Sequence, residues 1–213
     1  MDESTETTAA AWRSPRPSLV LVGGGPGAGK SRLARAVVRR IQDALLLDKD
    51  RLLGAWVDRV LQASGEAVDR DGALYWQEVR PLEYATLTAA ALDHLALGKS
   101  VVIDAPLGPE LHDAAWLAGM SRECKARGAV LLAVWIRCDA AAAYRRLRAR
   151  GEPRDRWKLE HWDEFLTARQ PYAPPAGAAL VVQNDDGDPT DAQVARVIEA
   201  IRRLARRPGE CPP

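Results

Sequence analysis

The run Gly24-Gly25-Pro26-Gly27-Ala28-Gly29-Lys30-Ser31 constrains this chain more than any other stretch. It reads Gly, four residues, then Gly-Lys-Ser, which is the Walker A spacing of a phosphate-binding loop. It follows Leu19-Val20-Leu21-Val22, an apolar run suited to a buried strand. It precedes a stretch in which Leu33, Val37, Val38 and Ile41 fall on one helical face. Strand, glycine loop and helix form the context such a loop needs. Glycines let the backbone curl until its N–H groups point at phosphate oxygens. The positive end of the following helix adds to the same field. Lys30 reaches the outer phosphates as a mobile charge, and Ser31 offers a hydroxyl to Mg²⁺. Gly25, Gly27, Ala28, Gly29, Lys30, Ser31 and Arg32 are therefore expected to hold ATP.

Beyond this loop, short apolar runs alternate with longer helical stretches. Residues 44–47, 101–103, 129–136 and 179–182 read as strands and, with 19–22, make five. Helices are expected over 31–43, 73–97, 109–127, 140–150, 157–168 and 191–205. A further helix carries Leu52, Leu53, Trp56, Val57, Val60 and Leu61. The 73–97 helix should bend at Pro81, because proline removes an interior hydrogen bond. Strands separated by helices imply a parallel sheet covered on both faces. The expected fold is α/β, a three-layer α/β/α arrangement of P-loop NTPase type with a five-stranded parallel sheet. Residues 1–17 and 206–213 read as tails, leaving one domain over 18–205. The first tail starts acidic and has no apolar core, so it is not a secretory signal.

Charge narrows the partners. Thirty Lys and Arg face 29 Asp and Glu, a net of +1, which gives no general basic field for long nucleic acid. No apolar run approaches the ~18 residues of a membrane span. Cys124, Cys138 and Cys211 are odd in number and lack metal-ligand spacing, so a reducing, cytoplasmic setting is expected. His94, His112 and His161 are scattered and read as surface or structural residues.

Parallel sheets bind ligands beyond the carboxyl ends of their strands. Polar residues placed there are candidates for chemistry. Asp48-Lys49-Asp50-Arg51 follows the second strand, and Asp50 is placed to orient or deprotonate an incoming hydroxyl, with Asp48 as the alternative. Asp50 also stands where a helix N-cap would, before Leu52 and Leu53. Asp104 follows the third strand and can share Mg²⁺ with Ser31. Arg146, Arg150 and Arg154 lie in a run of arginines broken by Gly151 and Pro153. That run reads as a lid over about 150–158 closing on triphosphate, with Arg150 also stabilising transferred charge. Trp56, Trp76, Arg80 and Tyr84 are the candidates for contacting the acceptor, although the spacing of Trp56 from Leu52 and Val60 places it toward the core.

Taken together, the glycine loop, the Asp50 and Asp104 carboxylates and the arginine-rich run resemble the P-loop small-molecule and polynucleotide kinases, the group that includes zeta toxins. Within that group the chain is most similar to chloramphenicol phosphotransferases. The likeness rests on 23–31, Asp50-Arg51-Leu52-Leu53, Glu78-Val79-Arg80-Pro81-Leu82-Glu83, Val101-Val102-Ile103-Asp104 and Ile136-Arg137-Cys138-Asp139. The resemblance implies ATP and Mg²⁺, phosphorylation of a hydroxyl, Asp50 as the catalytic carboxylate and Arg80 facing the acceptor. The expected function is an ATP-dependent kinase of a small, antibiotic-like or nucleoside-like molecule. Rivals are a polynucleotide 5′-kinase, a toxin-type sugar-nucleotide kinase, and an ATP-binding regulatory or assembly factor with no acceptor.

Overall fold

The computed structural model describes residues 11–65, 70–185 and 189–206. Five parallel strands stand in the order β2-β3-β1-β4-β5. They are β1 (Ser18–Gly24), β2 (Leu45–Asp48), β3 (Val101–Asp104), β4 (Val130–Arg137) and β5 (Leu180–Gln183). Side chains alternate across a strand, and in β1 both sets are buried. Val20 and Val22 pack with Leu33 and Val37 of α1 (Lys30–Arg39) and with Val197 and Ile201 near the chain's end. Leu19 and Leu21 pack on the other face with Leu87, Leu95, Met120 and Cys124. The three layers expected from the sequence are present.

The second helix, α2 (Lys49–Ala63), follows β2 without a gap. Its N-cap is Asp48, whose side chain accepts from the Arg51 N–H at 3.1 Å. The cap expected at Asp50 is therefore misplaced by two residues. β2 runs to Asp48, one residue beyond the expected 44–47, and α2 starts at the next residue with no turn between them. The core-facing placement of Trp56 is also overturned. Gly54, Val57 and Leu61 form the buried side of α2, while Trp56 is 49% exposed. Trp56 belongs with Leu52, 56% exposed and four residues away.

At Pro81 the chain does something the bend did not anticipate. Residues Tyr75–Val79 form a π-helical turn that runs into α3 (Arg80–Ala96). The Arg80 N–H donates to the Tyr75 carbonyl, five residues back. One wide turn fits the ring of Pro81 at the start of α3 while helical bonding continues. It also rotates Tyr75, Trp76 and Arg80 relative to a regular helix.

The expected helix 109–127 is two helices, α4 (Gly108–His112) and α5 (Ala114–Ala126). Asp113 breaks them apart, because its side chain accepts from the N–H groups of Ala115 and Trp116 and so caps α5. The expected 31–43 helix stops at Arg39, and Ile41 pairs as an isolated bridge with Trp12. Trp12, inside the expected tail, is thus docked: its N–H donates to the Arg40 carbonyl at 2.9 Å. Residues 1–10 and 207–213, including Cys211, lie outside the described residues. Cys124 and Cys138 are buried and unbridged.

The arginine-rich run starts in α6 (Ala140–Arg150). Gly151 ends that helix with φ 65°, a left-handed value that favours glycine. A 3₁₀ turn at Pro153–Asp155 leads to α7 (Arg156–Glu160) and α8 (Trp162–Arg169). The final helix, α9 (Asp191–Ala205), is closed at its start by a capping box of Thr190 and Gln193. No helix among the described residues is long and apolar enough to cross a membrane.

Candidate functional site

β1 lies between β3 and β4, so its carboxyl end opens into a crevice with neighbours on both sides. The glycine loop fills that crevice. Gly24 has φ 148°, and a Cβ there would lie 2.6 Å from the Ile136 carbonyl oxygen. At Gly25, a Cβ would lie 2.4 Å from the Tyr172 ring and 2.7 Å from the Pro171 carbonyl oxygen. Tyr172 is anchored in turn, its hydroxyl donating to the Pro26 carbonyl at 2.8 Å. Gly29 adopts φ 96° as the N-cap of α1, which directs the first N–H groups of that helix at the loop.

Lys30 Nζ donates to the Gly25 carbonyl at 2.9 Å, so the lysine arches over its own loop. Burial pushes its ammonium below the ordinary lysine range, against the opposing pull of Asp104 and Asp50. Asp104 ends β3 and is buried, in register with Val22 and with Asp48. Burial pushes its carboxyl up, while Lys30 and a hydrogen bond from Ser31 pull it down. Its Oδ2 has no hydrogen-bond partner among the described residues. A buried carboxylate oxygen left open beside a serine hydroxyl is the kind of hard-oxygen set that suits a divalent cation. Ser31 and Asp104, the expected Mg²⁺ pair, are thus brought together and fit the ion. No group of three or more His, Cys, Asp or Glu is arranged to hold a metal by itself among the described residues.

The two candidate aspartates after β2 have different surroundings. Asp48 is occupied by its capping bond and by Arg35 at 3.3 Å. Asp50 stands in the first turn of α2, touched by Lys49 at 3.2 Å, Arg70 at 3.0 Å and Arg154 at 2.5 Å. Burial pushes the Asp50 carboxyl up, but Lys49, Arg154 and Arg70 outweigh it and hold it down at about 2. It is therefore ionised across the working pH range.

Several partners of these residues have no signature in the sequence. Lys49 is fully buried and donates to Glu83 at 2.8 Å and to Tyr75 at 3.3 Å. The Tyr75 hydroxyl donates to the other Glu83 oxygen at 2.7 Å. Only the pairing of a charged turn with an acidic helix start hinted at this triad. Arg70 clamps α2 by donating to Asp50, Asp58 and the Gly54 carbonyl.

The arginines expected to form a lid have different partners. Arg146 donates to the carbonyls of Gly27, Asn184 and Asp185, while Asn184 Nδ2 donates to the Ala28 carbonyl. Arg146 thereby ties α6 to the glycine loop and to the loop after β5. Arg150 pairs with the buried Asp155, and Arg154 reaches Asp50. Lys158 donates to Asp71 at 2.6 Å. Two ion pairs therefore tie the 150–158 segment to Asp50 of α2 and to Asp71.

Among the residues expected to contact an acceptor, Arg80 makes a two-pronged pair with Glu110, at 2.7 and 2.8 Å. Its guanidinium lies 4.1 Å from the Tyr84 ring centre and 5.0 Å from that of Trp76. The Tyr84 hydroxyl accepts from the Leu107 N–H, next to Pro106, whose carbonyl accepts from the Gly24 N–H. Arg80, Trp76 and Tyr84 thus gather beside the phosphate loop. Trp56, on the exposed side of α2, is not part of that cluster.

A family model described as AAA domain matches residues 19–172. Among solved structures, the chain is similar to the APS kinase CysC of Mycobacterium tuberculosis in complex with AMPPNP and APS. The identity is 21%, with 87% of this chain and 97% of that one covered and a TM-score of 0.57. It is also similar to a shikimate kinase of Bacteroides thetaiotaomicron, at 19% identity, 88% and 97% coverage and a TM-score of 0.51. These likenesses show the P-loop three-layer fold. No curated protein sequence matches the chain.

Proposed function

The chain belongs to the AAA domain family, and from that membership and the geometry of the cleft we propose that it is an ATP-dependent kinase of a small molecule. One observation carries the reading. Asp50 is an ionised carboxylate close enough to Lys30 and Asp104 to bias both. A module that merely switches conformation needs no carboxylate for chemistry beyond the metal-fitting pair, whereas Asp50, besides pairing with Arg70 and Arg154, is placed to serve a hydroxyl. The resemblance to chloramphenicol phosphotransferases supports an antibiotic-like or nucleoside-like acceptor with a hydroxyl.

In the proposed reaction the acceptor oxygen attacks the γ-phosphorus in line, and the bond from that phosphorus to the β-phosphate oxygen breaks. Asp50 hydrogen-bonds the hydroxyl, fixes its orientation and receives or passes on its proton. A carboxyl held at about 2 is a weak base, so orientation is its larger contribution. In this reading Lys30 would stabilise negative charge on the transferred phosphoryl oxygens, and Arg150 and Arg154 would join it on exchanging Asp155 and Asp50 for phosphate. Ser31 and Asp104 would hold Mg²⁺, which when bound neutralises charge on the outer phosphates.

The test is ADP release measured with ATP, Mg²⁺ and a panel of hydroxyl compounds. An acceptor should raise the rate, and Lys30→Ala should abolish the rise. Near-normal turnover by Lys30→Ala refutes the phosphate-loop reading. ATP binding without stimulation by any hydroxyl compound supports the regulator instead.

A further inference from the structure

Lys49 is a lysine buried at the start of a helix, its side chain only 3% exposed. An ammonium has three N–H groups, and three acceptors meet them here: Glu83 at 2.8 Å, Tyr75 at 3.3 Å and Asp50 at 3.2 Å. Glu83 is as deeply buried, and its second oxygen accepts from the Tyr75 hydroxyl at 2.7 Å. Burying such a pair is costly, and apolar residues of similar volume often serve stability as well or better. The packing beside it needs no charge, because Val57 and Leu61 of α2 meet Val79 in an apolar cluster. What the charges add is a fixed position for the groups they bond.

Two features show which position is fixed. The first is the π-helical turn. Two turns of a regular helix take about seven residues, but Tyr75 and Glu83 are eight apart. The wide turn between them absorbs the extra residue and brings both side chains onto Lys49. The second is the way Asp50 is held. Lys49 and Arg70 both touch its Oδ1, at 3.2 and 3.0 Å, whereas Arg154 meets Oδ2. Oδ1 is thus gripped from two sides, and Oδ2 is left to the 150–158 segment. Lys49 itself is held in place, since Glu83 and Tyr75 bond the same ammonium.

We infer that Lys49 is a positioning residue for Asp50: anchored by Glu83 and Tyr75, it fixes the carboxylate by Oδ1 and leaves Oδ2 to meet the hydroxyl of the acceptor. The hydroxyl rests on the kinase reading above, whereas the hold of Lys49 on Asp50 does not.

The experiment follows the carboxyl carbon of Asp50 in protein labelled with ¹³C at aspartate, over about pH 3–8, the signal being identified by its loss in Asp50→Asn. Wild-type Asp50 should stay ionised to the acid end of this range, since burial, which pushes its carboxyl up, is outweighed by Lys49, Arg154 and Arg70. Lys49→Met should raise the midpoint by ~1–3 pH units, the usual effect of an opposite charge within ~4–6 Å. If Lys49→Met does not fold, the double variant Lys49→Met with Glu83→Gln, which strands no buried charge, must show the rise. Kinetics give the second readout. With a hydroxyl compound that raises ADP release, Lys49→Met should lower kcat by ~10-fold or more, with KM for ATP nearly unchanged. An unmoved Asp50 midpoint overturns the inference, and so does a raised midpoint with kcat unmoved. A lower Tm with neither changed would mean that Lys49 only joins α2 to α3, and overturns it too. If no hydroxyl compound raises ADP release, the kinase reading fails, while the Asp50 midpoint still decides whether Lys49 holds that carboxylate.

Discussion

Replacing Asp50 by Asn tests the cleft most directly, because it removes a charge and little volume. The carboxyl sits at about 2 against an ordinary 3.8. Each pH unit of such a difference corresponds to ~1.4 kcal/mol, so full shielding would give roughly 2.5 kcal/mol. The side chain is 40% exposed, and solvent screening brings the contribution to about 1 kcal/mol. A depressed carboxyl contributes stability that is present above its unfolded value and is lost as pH falls toward 2. At neutral pH the whole contribution is therefore in place, and Asp50→Asn should lower Tm by about 2–4 °C. Asp48, not Asp50, caps α2, so the helix start survives the change. Turnover should fall far more, by ~10²-fold in kcat, the order of loss when a reacting group is no longer held in place, with ATP affinity nearly unchanged. The assay is steady-state kinetics across pH 5–9 beside an ATP titration and a thermal melt. Because Asp50 stays ionised throughout that range, the wild-type profile should show no acid limb that disappears in Asp50→Asn. Normal turnover in the variant refutes the assignment. A limb near pH 6 that vanishes with the carboxylate refutes the account of its ionisation.

Two further outcomes follow from the same geometry. Gly25→Ala places a methyl 2.4 Å from the Tyr172 ring, and overpacking of this kind costs ~1–3 kcal/mol; calorimetry should show a lower Tm together with weaker ATP binding, and unchanged values would mean that Tyr172 does not brace the loop. Residues 151–158 should exchange amide hydrogens more slowly once an ATP analogue is added, and equal exchange with and without it would remove the lid.

The order of layers was legible because it follows from periodicity. Every strand of the sheet is a short apolar run, and β1 alternates between two buried faces, so burial on both sides could be read without coordinates. Errors fell where a single polar side chain decides the local geometry. Asp113 splits one apparent helix because it bonds two N–H groups ahead of it. The cap expected at Asp50 is instead Asp48, two residues earlier, because β2 runs directly into α2. Trp56 repeats with Leu52 and Val60, yet the buried side of α2 is set by Gly54, Val57 and Leu61. Periodicity fixes which residues share a face but not which face turns inward when two are apolar.

The site divides in the same way. The loop's place between β1 and α1, and the closeness of Ser31 to Asp104, were legible because each is fixed by a strand end or a helix start. The partners of the lid arginines could not, since they come from distant segments: Arg154 meets Asp50 and Lys158 meets Asp71. These contacts share a property that bears on function. Lys30 bonds a carbonyl of its own loop and Arg154 holds Asp50, groups that in the proposed reaction would face phosphate oxygens and a hydroxyl. Each cation thus has a partner it can exchange for a substrate group of similar charge or polarity. Removing a buried charge from its partner without replacement costs several kcal/mol, whereas exchanging one oxygen for another costs little. A cleft assembled this way can bind nucleotide without first stranding a charge. In the proposed reaction, opening the Arg154 contact would leave Asp50 to Lys49, Arg70 and the incoming hydroxyl, so that closing the 150–158 segment on ATP and presenting Asp50 to the acceptor would be one rearrangement.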